Sequence, residues 1–144
     1  MADDVEAVRA ANERFYRAFE SLTLGEMEAV WAHVAHAACV HPGWPRLQGW
    51  GAIRGSWEAI FRNTVEMRFT LTDVEIQVRG DLAWVVCIEN ILSEVRGNLS
   101  VTAILATNVF ERRGGEWLMV HHHGSHILAA PAPPEAEGNE GAPS

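Results

Sequence analysis

The chain has 144 residues, of which 48% are hydrophobic and 21% are charged, and its net charge is -8. This length and composition indicate one soluble globular domain, and the acidic balance without a basic run argues against nucleic acid as a partner. All 11 basic residues are arginine, which excludes chemistry through a Schiff-base or phosphate-loop lysine. With no apolar run of membrane-spanning length and no signal-peptide pattern, we expect a cytoplasmic protein that binds no membrane.

The first half of the chain has the 3.6-residue apolar period of amphipathic helices. A capping-box pattern at Thr23–Glu26 marks the start of the second of these helices, whose predicted inner face reaches Val34. A short strand and a loop rich in Trp, Pro and Gly precede the third. The predicted segments are a helix over 4–20, a helix from Thr23, a strand over 37–41 and a helix over about 51–62.

After residue 66 the apolar period changes from 3.6 to 2, which predicts strands. Glycine-containing turns separate them, as expected where the chain needs positive φ. Helices followed by a meander of strands predict the α+β class, with the helices on one face of the sheet. The predicted strands cover 66–78, 82–94, 99–112 and 116–126; residues 1–128 form the domain, and 129–144 are expected to be a disordered Pro/Ala/Glu/Gly tail.

The last strand contains four of the seven histidines, within His121–His126. Alternate residues of a strand share a face, so His121 and His123 point one way and His122 the other. If the turns at Arg96-Gly97 and Gly114-Gly115 have two residues each, Glu89 pairs with Ile104. Asn108 then pairs with His121, and Ala106 with His123. This register places Glu89, Asn108, His121 and His123 on one face.

The opposite sheet face is almost wholly apolar in this register. A monomer would leave that face in water, so we expect a homodimer in which a second copy covers it. The predicted centre of the interface comprises Trp84, Ile88, Val109 and Val120.

Two motifs make the sequence resemble a known superfamily. Trp117-Leu118, Val120-His121, His123 and Ser125 resemble the ending of the association (hub) domain of calcium/calmodulin-dependent protein kinase II. His41-Pro42-Gly43-Trp44, with Ile53 and Ser56-Trp57, resembles a bacterial subgroup of SnoaL-like proteins. Over residues 4–128 the chain is therefore identified as a member of the nuclear-transport-factor-2-like superfamily.

The resemblance implies a cystatin-like cone, in which three N-terminal helices pack on a curved antiparallel sheet and enclose a cavity. It also implies an enzyme without a cofactor, or a binding protein. Arginines that hold carboxylates in the hub pocket align here with Glu89 and Asn108. We expect Glu89, His121 and His123 to be the acid–base residues. The expected ligand-binding residues are Asn108, His41, Trp44, Phe15, Phe19, Trp57, Cys87, Phe110 and Met119.

Alternatives stay open for these residues. A buried Glu89 beside imidazoles is a general acid–base set, or else a structural hydrogen bond in the core. His41, His121, His123 and a carboxylate could bind a metal, although we expect neither metal nor cofactor. The two cysteines are expected to be buried thiols. Two functions remain: a pocket for a small apolar molecule, with isomerase, lyase, dehydratase or cyclase activity, or an oligomerisation module with a vestigial pocket.

Overall fold

The structure, a computed structural model, describes residues 3–128, which form three helices packed on one six-stranded sheet. The α+β prediction is confirmed, and the predicted tail lies outside the described residues. The helices are α1 (Asp4–Ser21), α2 (Leu24–Val30) and α3 (Trp50–Asn63). The strands are β1 (Ala38–Val40), β2 (Leu47–Gln48), β3 (Glu66–Arg79), β4 (Leu82–Val95), β5 (Asn98–Arg113) and β6 (Glu116–His126).

The sheet has the order β2-β1-β6-β5-β4-β3 and is mixed. β3 to β6 form the predicted antiparallel meander, while β1 pairs with β6 in parallel. The predicted curved antiparallel sheet therefore has one parallel pair, between β1 and β6. Strand β2, next to β1 at the edge of the sheet, was not predicted, because its two residues are too few to show an apolar period in the sequence.

Helix α2 is shorter than its apolar pattern predicted. It ends at Val30, because Trp31 adopts an extended backbone and bridges to Met119 of β6. The capping box is also absent: the Thr23 hydroxyl donates to the carbonyl of Ser21 instead of capping the helix. Packing against β6 therefore decides where this helix ends.

A β-bulge changes the predicted register of the last strand. Glu89 pairs with Ile104 as predicted, but Val109 pairs with His121 and Phe110 with Met119, so Val120 is left unpaired. The predicted pairs of Asn108 with His121 and of Ala106 with His123 are wrong. Asn108 lies opposite His122 instead, because one extra residue in a strand reverses the face of every residue beyond it.

We call the face of the sheet that packs on the helices the inner face and its opposite the outer face. An aromatic cluster fills the space between the inner face and helices α1 and α3. Phe15 and Phe19 of α1 make edge-to-face contacts with Trp57 of α3, with ring centroids 5.8 and 4.7 Å apart. Such contacts add to the free energy gained by burying the rings, so this cluster anchors both helices to the sheet.

Among residues 3–128, none of the helices is both long enough and apolar enough to cross a bilayer.

Gly124 lies on the inner face where only a residue without a side chain fits. A Cβ there would lie 2.9 Å from Cγ2 of Ile104 and 3.4 Å from Cγ of Pro42. We expect Gly124→Ala to lower the free energy of unfolding by about 1–3 kcal/mol, the usual cost of overpacking a core, as measured by urea denaturation.

The matched control is Gly55→Ala, because a Cβ at this helical glycine of α3 meets nothing within 4 Å. This change is expected to stabilise the protein by about 0.5–1 kcal/mol through the higher helix propensity of alanine. Equal effects of the two substitutions would contradict the steric argument.

Candidate functional site

A cavity of about 490 Å³ opens at one end of the fold, between α3, the inner face and the loop after β1. Its wall is mainly apolar, with scattered hydroxyl, amide and imidazole groups. The residues that line it are Phe19, His41, Pro42, Trp44, Ala59, Ile60, Asn63, Thr64, Met67, Ile91, Ser93, Val95, Ser100, Thr102, Ile104 and His126.

Three of the predicted ligand-binding residues line this cavity. Phe19 and His41 are buried in its wall, and Trp44 lies at its mouth, where 41% of the side chain is exposed. The other predicted ligand-binding residues are buried in the core and do not line the cavity. That buried group comprises Phe15, Trp57, Cys87, Asn108, Phe110 and Met119.

A buried hydrogen-bond network connects α1 to the three central strands behind the cavity. The Tyr16 hydroxyl donates to Oε2 of Glu89 over 2.5 Å. Nδ2 of Asn108 donates to that hydroxyl over 3.0 Å and to Oδ1 of Asn12 over 2.9 Å. Nδ1 of His122 lies 2.6 Å from Oδ1 of Asn108. All five side chains are at most 4% exposed.

The main line of donors in this network leads to Glu89, and one branch leads from Nδ2 of Asn108 to Oδ1 of Asn12. Since Oδ1 of Asn108 can only accept, Nδ1 of His122 carries a proton, and the order of donation runs from His122 through Asn108 and Tyr16 to the carboxyl group. The branch ends at the amide oxygen of Asn12, which does not titrate, and the main line ends at the carboxyl group of Glu89. Glu89 is therefore the group in the network that is able to hold or release a proton.

Burial raises the pKa of Glu89 to about 7, and the hydrogen bond from Tyr16 opposes that rise. Burial, together with the nearby Glu89 charge, also raises the pKa of Tyr16 well above its usual range. Burial lowers the pKa of His122 far below its usual value, so this imidazole is neutral. Near neutral pH, Glu89 is thus the member of the network poised between its two protonation states.

The network and the cavity are neighbours but do not merge. Ile91 lines the cavity, and Glu89 is two residues away on the same face of β4, a distance of about 6.6 Å along a strand. Ile104, the strand partner of Glu89, also lines the cavity. Glu89 therefore lies directly beside the cavity lining but does not itself line the cavity.

The bulge exchanges the histidines of the predicted site. His122 lies inside the core, whereas His121 and His123 lie with Val109 and Thr107 on the outer face, so their assignment as acid–base residues beside Glu89 is wrong. The alternative metal site is likewise not assembled. Within residues 3–128, no group of three or more His, Cys, Asp or Glu side chains is arranged to hold a metal ion.

His41 is a polar side chain in the buried part of the cavity wall. Its Nε2 lies 2.9 Å from Oγ of Ser56, and the Ser56 hydroxyl donates to the carbonyl of Ile53 over 2.7 Å. Cys39 Sγ lies 3.7 Å from Nε2 and 3.9 Å from Nδ1. Burial lowers the pKa of His41 to about 4, so the ring is neutral at physiological pH.

Both cysteines are free and buried, as predicted. Burial raises the pKa of Cys87 to about 11 and that of Cys39 further still. These thiols therefore stay protonated and are not nucleophiles.

Sequence reasoning missed Asn12, Tyr16 and His122 of the buried network, and Ser56 beside His41. Tyr16 is the only tyrosine of the chain and lies on the apolar face of α1, a position that could have marked it as a polar group in the core. His122 was assigned to the wrong face, and Ser56 gave no signal beyond its place in a helix.

Comparison with known proteins gives one family match. The sequence profile described as "SnoaL-like domain" matches residues 8–130. Solved structures with the same architecture include proteins described as having a cystatin-like fold.

Two solved structures are similar in sequence as well as in fold. One is a proposed dehydratase of the NTF2-like family from Streptomyces avermitilis, 41% identical, with a TM-score of 0.83, covering 89% of this chain and 99% of its own. The other is a proposed calcium/calmodulin-dependent protein kinase type II association domain from Thiobacillus denitrificans. It is 34% identical, with a TM-score of 0.74, covering 83% of this chain and 94% of its own.

A curated relative is the F-box protein SKIP8 of Arabidopsis thaliana, 28% identical over 122 residues. The match covers 85% of this chain and 50% of the relative, so this chain spans about half the length of that protein.

Proposed function

The chain belongs to the SnoaL-like domain family, and from that premise we propose that it binds a small, largely apolar molecule in the cavity beside α3. The cavity of about 490 Å³ is the observation that carries the proposal. It has the size and mainly apolar wall of a small-molecule site, with few polar groups to orient a ligand.

The proposed chemistry is a proton-transfer reaction without a cofactor, of the isomerase, cyclase or dehydratase kind. The dehydratase description of the Streptomyces avermitilis protein supports this class. Glu89, with Tyr16 bonded to it, is the proposed acid or base, and ligand entry as far as the lining residues Ile91 and Ile104 is part of the proposal.

Filling the cavity tests the binding proposal. Ala59 is half-buried on α3 and lines the cavity, so Ala59→Trp places an indole where the ligand would lie. We expect the affinity for Nile red, a neutral apolar dye, to fall by at least about tenfold, equivalent to about 1.4 kcal/mol, in a fluorescence titration.

The control for this prediction is Ala52→Trp, which adds the same side chain at an exposed position of the same helix. It is expected to bind the dye as the wild type does. If wild type and Ala59→Trp bind equally, the dye is not in the cavity and the proposal fails.

An oligomerisation module is the second candidate function, and the outer face supports it. Leu92, Val101 and Leu105 on this face are 45%, 81% and 45% exposed. On the neighbouring strands β4 and β5 they share this face with Trp84, Ile88 and Val109. The association-domain description of the Thiobacillus denitrificans protein points the same way.

We propose that a second copy of this chain covers the outer face, giving a homodimer. Trp84, Ile88 and Val109 form its centre. Val120, also expected there, is the unpaired residue of the bulge and is only 6% exposed, so it has little surface left for contact. Dimer formation and ligand binding use opposite faces of the sheet and are compatible.

A further inference from the structure

The wall of the cavity contains no group of fixed charge among the described residues. No Asp, Glu or Arg side chain lines it, and the chain has no lysine. At its rim, the exposed Arg96 donates to Oδ1 of Asn63, and the exposed His126 contributes an imidazole. A charged ligand that moved from water into the cavity would find no buried partner of opposite charge there, and its desolvation would cost several kcal/mol.

Most polar groups of the wall already have partners within the protein. Nδ2 of Asn63 donates to the carbonyl of Ala59, the Thr64 hydroxyl donates to that of Ile60, and Ser93 and Ser100 bond to each other. These groups therefore offer little to a ligand. Of the two buried polar side chains in the wall, Ser93 is bonded to Ser100, and His41 has a second ring nitrogen besides the one bonded to Ser56.

The bonds of Ser56 determine which nitrogen of His41 carries the proton. The single hydroxyl proton of Ser56 goes to the carbonyl of Ile53, so Oγ accepts from Nε2 of His41. Nε2 is then the protonated nitrogen of a neutral ring, and Nδ1 keeps a lone pair. Its contact within the protein is the Cys39 thiol at 3.9 Å, a weak donor at long range.

We infer that the cavity takes an uncharged, largely apolar molecule that carries a hydroxyl or N–H donor, and that Nδ1 of His41 accepts the hydrogen bond from that donor. The inference rests on the proposed binding function. It makes His41 the residue that selects the ligand and Ser56 the residue that holds His41 in the accepting tautomer.

Three probes of one ring system test this inference by calorimetry at neutral pH. 2-Naphthol is neutral with a donor, 2-methoxynaphthalene is neutral without one, and 2-naphthoate is an anion. We expect the wild type to bind naphthol about five- to tenfold more tightly than methoxynaphthalene, the usual net effect of one hydrogen bond. We expect naphthoate to bind at least about tenfold more weakly than naphthol.

Two variants connect the preference to the named residues. His41→Phe keeps a ring but removes the acceptor, so naphthol and methoxynaphthalene should bind equally. Ser56→Ala keeps the imidazole but frees its tautomer, so the preference should shrink without loss of methoxynaphthalene binding. His41→Phe removes the buried partner of Ser56 and could destabilise the fold, so thermal unfolding of both variants is measured first. If His41→Phe does not fold, the result for Ser56→Ala decides the test.

The outcomes separate this inference from the proposed function. If Nile red binds in the cavity but naphthoate matches naphthol, or methoxynaphthalene matches naphthol in the wild type, the inference is overturned and the binding function stands. A naphthol preference that persists in Ser56→Ala and His41→Phe also overturns it. Failure of Nile red to respond to Ala59→Trp overturns the proposed function itself.

Discussion

Val109→Arg is expected to convert the proposed homodimer into a monomer. Val109 lies on the outer face between Trp84 of β4 and His121 of β6, its direct partners in the sheet. In a two-fold dimer each copy presents the same patch, so an arginine here would be buried twice. An unpaired charge at the centre of such an interface should raise the dimer dissociation constant about a hundredfold or more.

The measurement is the molar mass in solution, by light scattering at micromolar concentration. Val65→Arg is the matched control, because Val65 is 62% exposed and precedes β3, away from the centre of the outer face. This control should keep the mass of the wild type. A wild type that is monomeric at this concentration, or a dimer indifferent to Val109→Arg, would contradict the proposed interface.

Glu89→Gln is expected to flatten the pH dependence of stability. The pKa of Glu89 is raised from 4.5 to about 7 in the folded protein, so between these values the folded state binds a proton that the unfolded state has released. The free energy of unfolding attributable to this group is therefore highest below pH 4.5 and falls as the pH rises to about 7. The whole fall is about 3 kcal/mol, since one pKa unit corresponds to about 1.4 kcal/mol.

Glutamine keeps an acceptor for the Tyr16 hydroxyl but does not titrate, so the variant should lose this component of the pH dependence. The readout is the difference in free energy of unfolding between wild type and variant at pH 5 and pH 8, from urea denaturation. Glu116→Gln, at an exposed strand end, is the control and should follow the wild type. Parallel curves for wild type and Glu89→Gln would show that Glu89 is not a buried titrating group.

The same variant also separates the two roles of Glu89. In a functional role, the folded Glu89→Gln protein loses turnover of a captured ligand. In a structural role, stability changes while ligand handling does not. Retained turnover in the folded variant would exclude Glu89 as the acid or base.

The extent of the longer elements could be predicted because their signals are local. The apolar periods placed α1, α3 and the four long strands within one residue of their observed ends, and the Arg96-Gly97 turn put Glu89 opposite Ile104. Residue spacing determines which face of one helix or strand is apolar, and burial of that face then selects the element.

The identity of the site residues depended on features that are not local. The turn at Gly114-Gly115 predicts an uninterrupted ladder, and nothing in the sequence marks Val120 as the bulged residue. One extra residue moved His122 into the core and moved His121 and His123 out of it. Met119 and His122 are three residues apart and would lie on opposite faces of a regular strand. Both can point into the core only because a bulge lies between them.

The partner of Glu89 was also decided by tertiary structure. The sequence showed an acid in an apolar strand and predicted a neighbouring imidazole, but the bonded group is Tyr16, 73 residues earlier on α1. Local patterns determined that Glu89 faces the core. The side chain that contacts Glu89 in the core depends on the position of α1 on the sheet. The packing of Phe15 and Phe19 against Trp57 determines that position, because close-packed rings can be arranged in few ways.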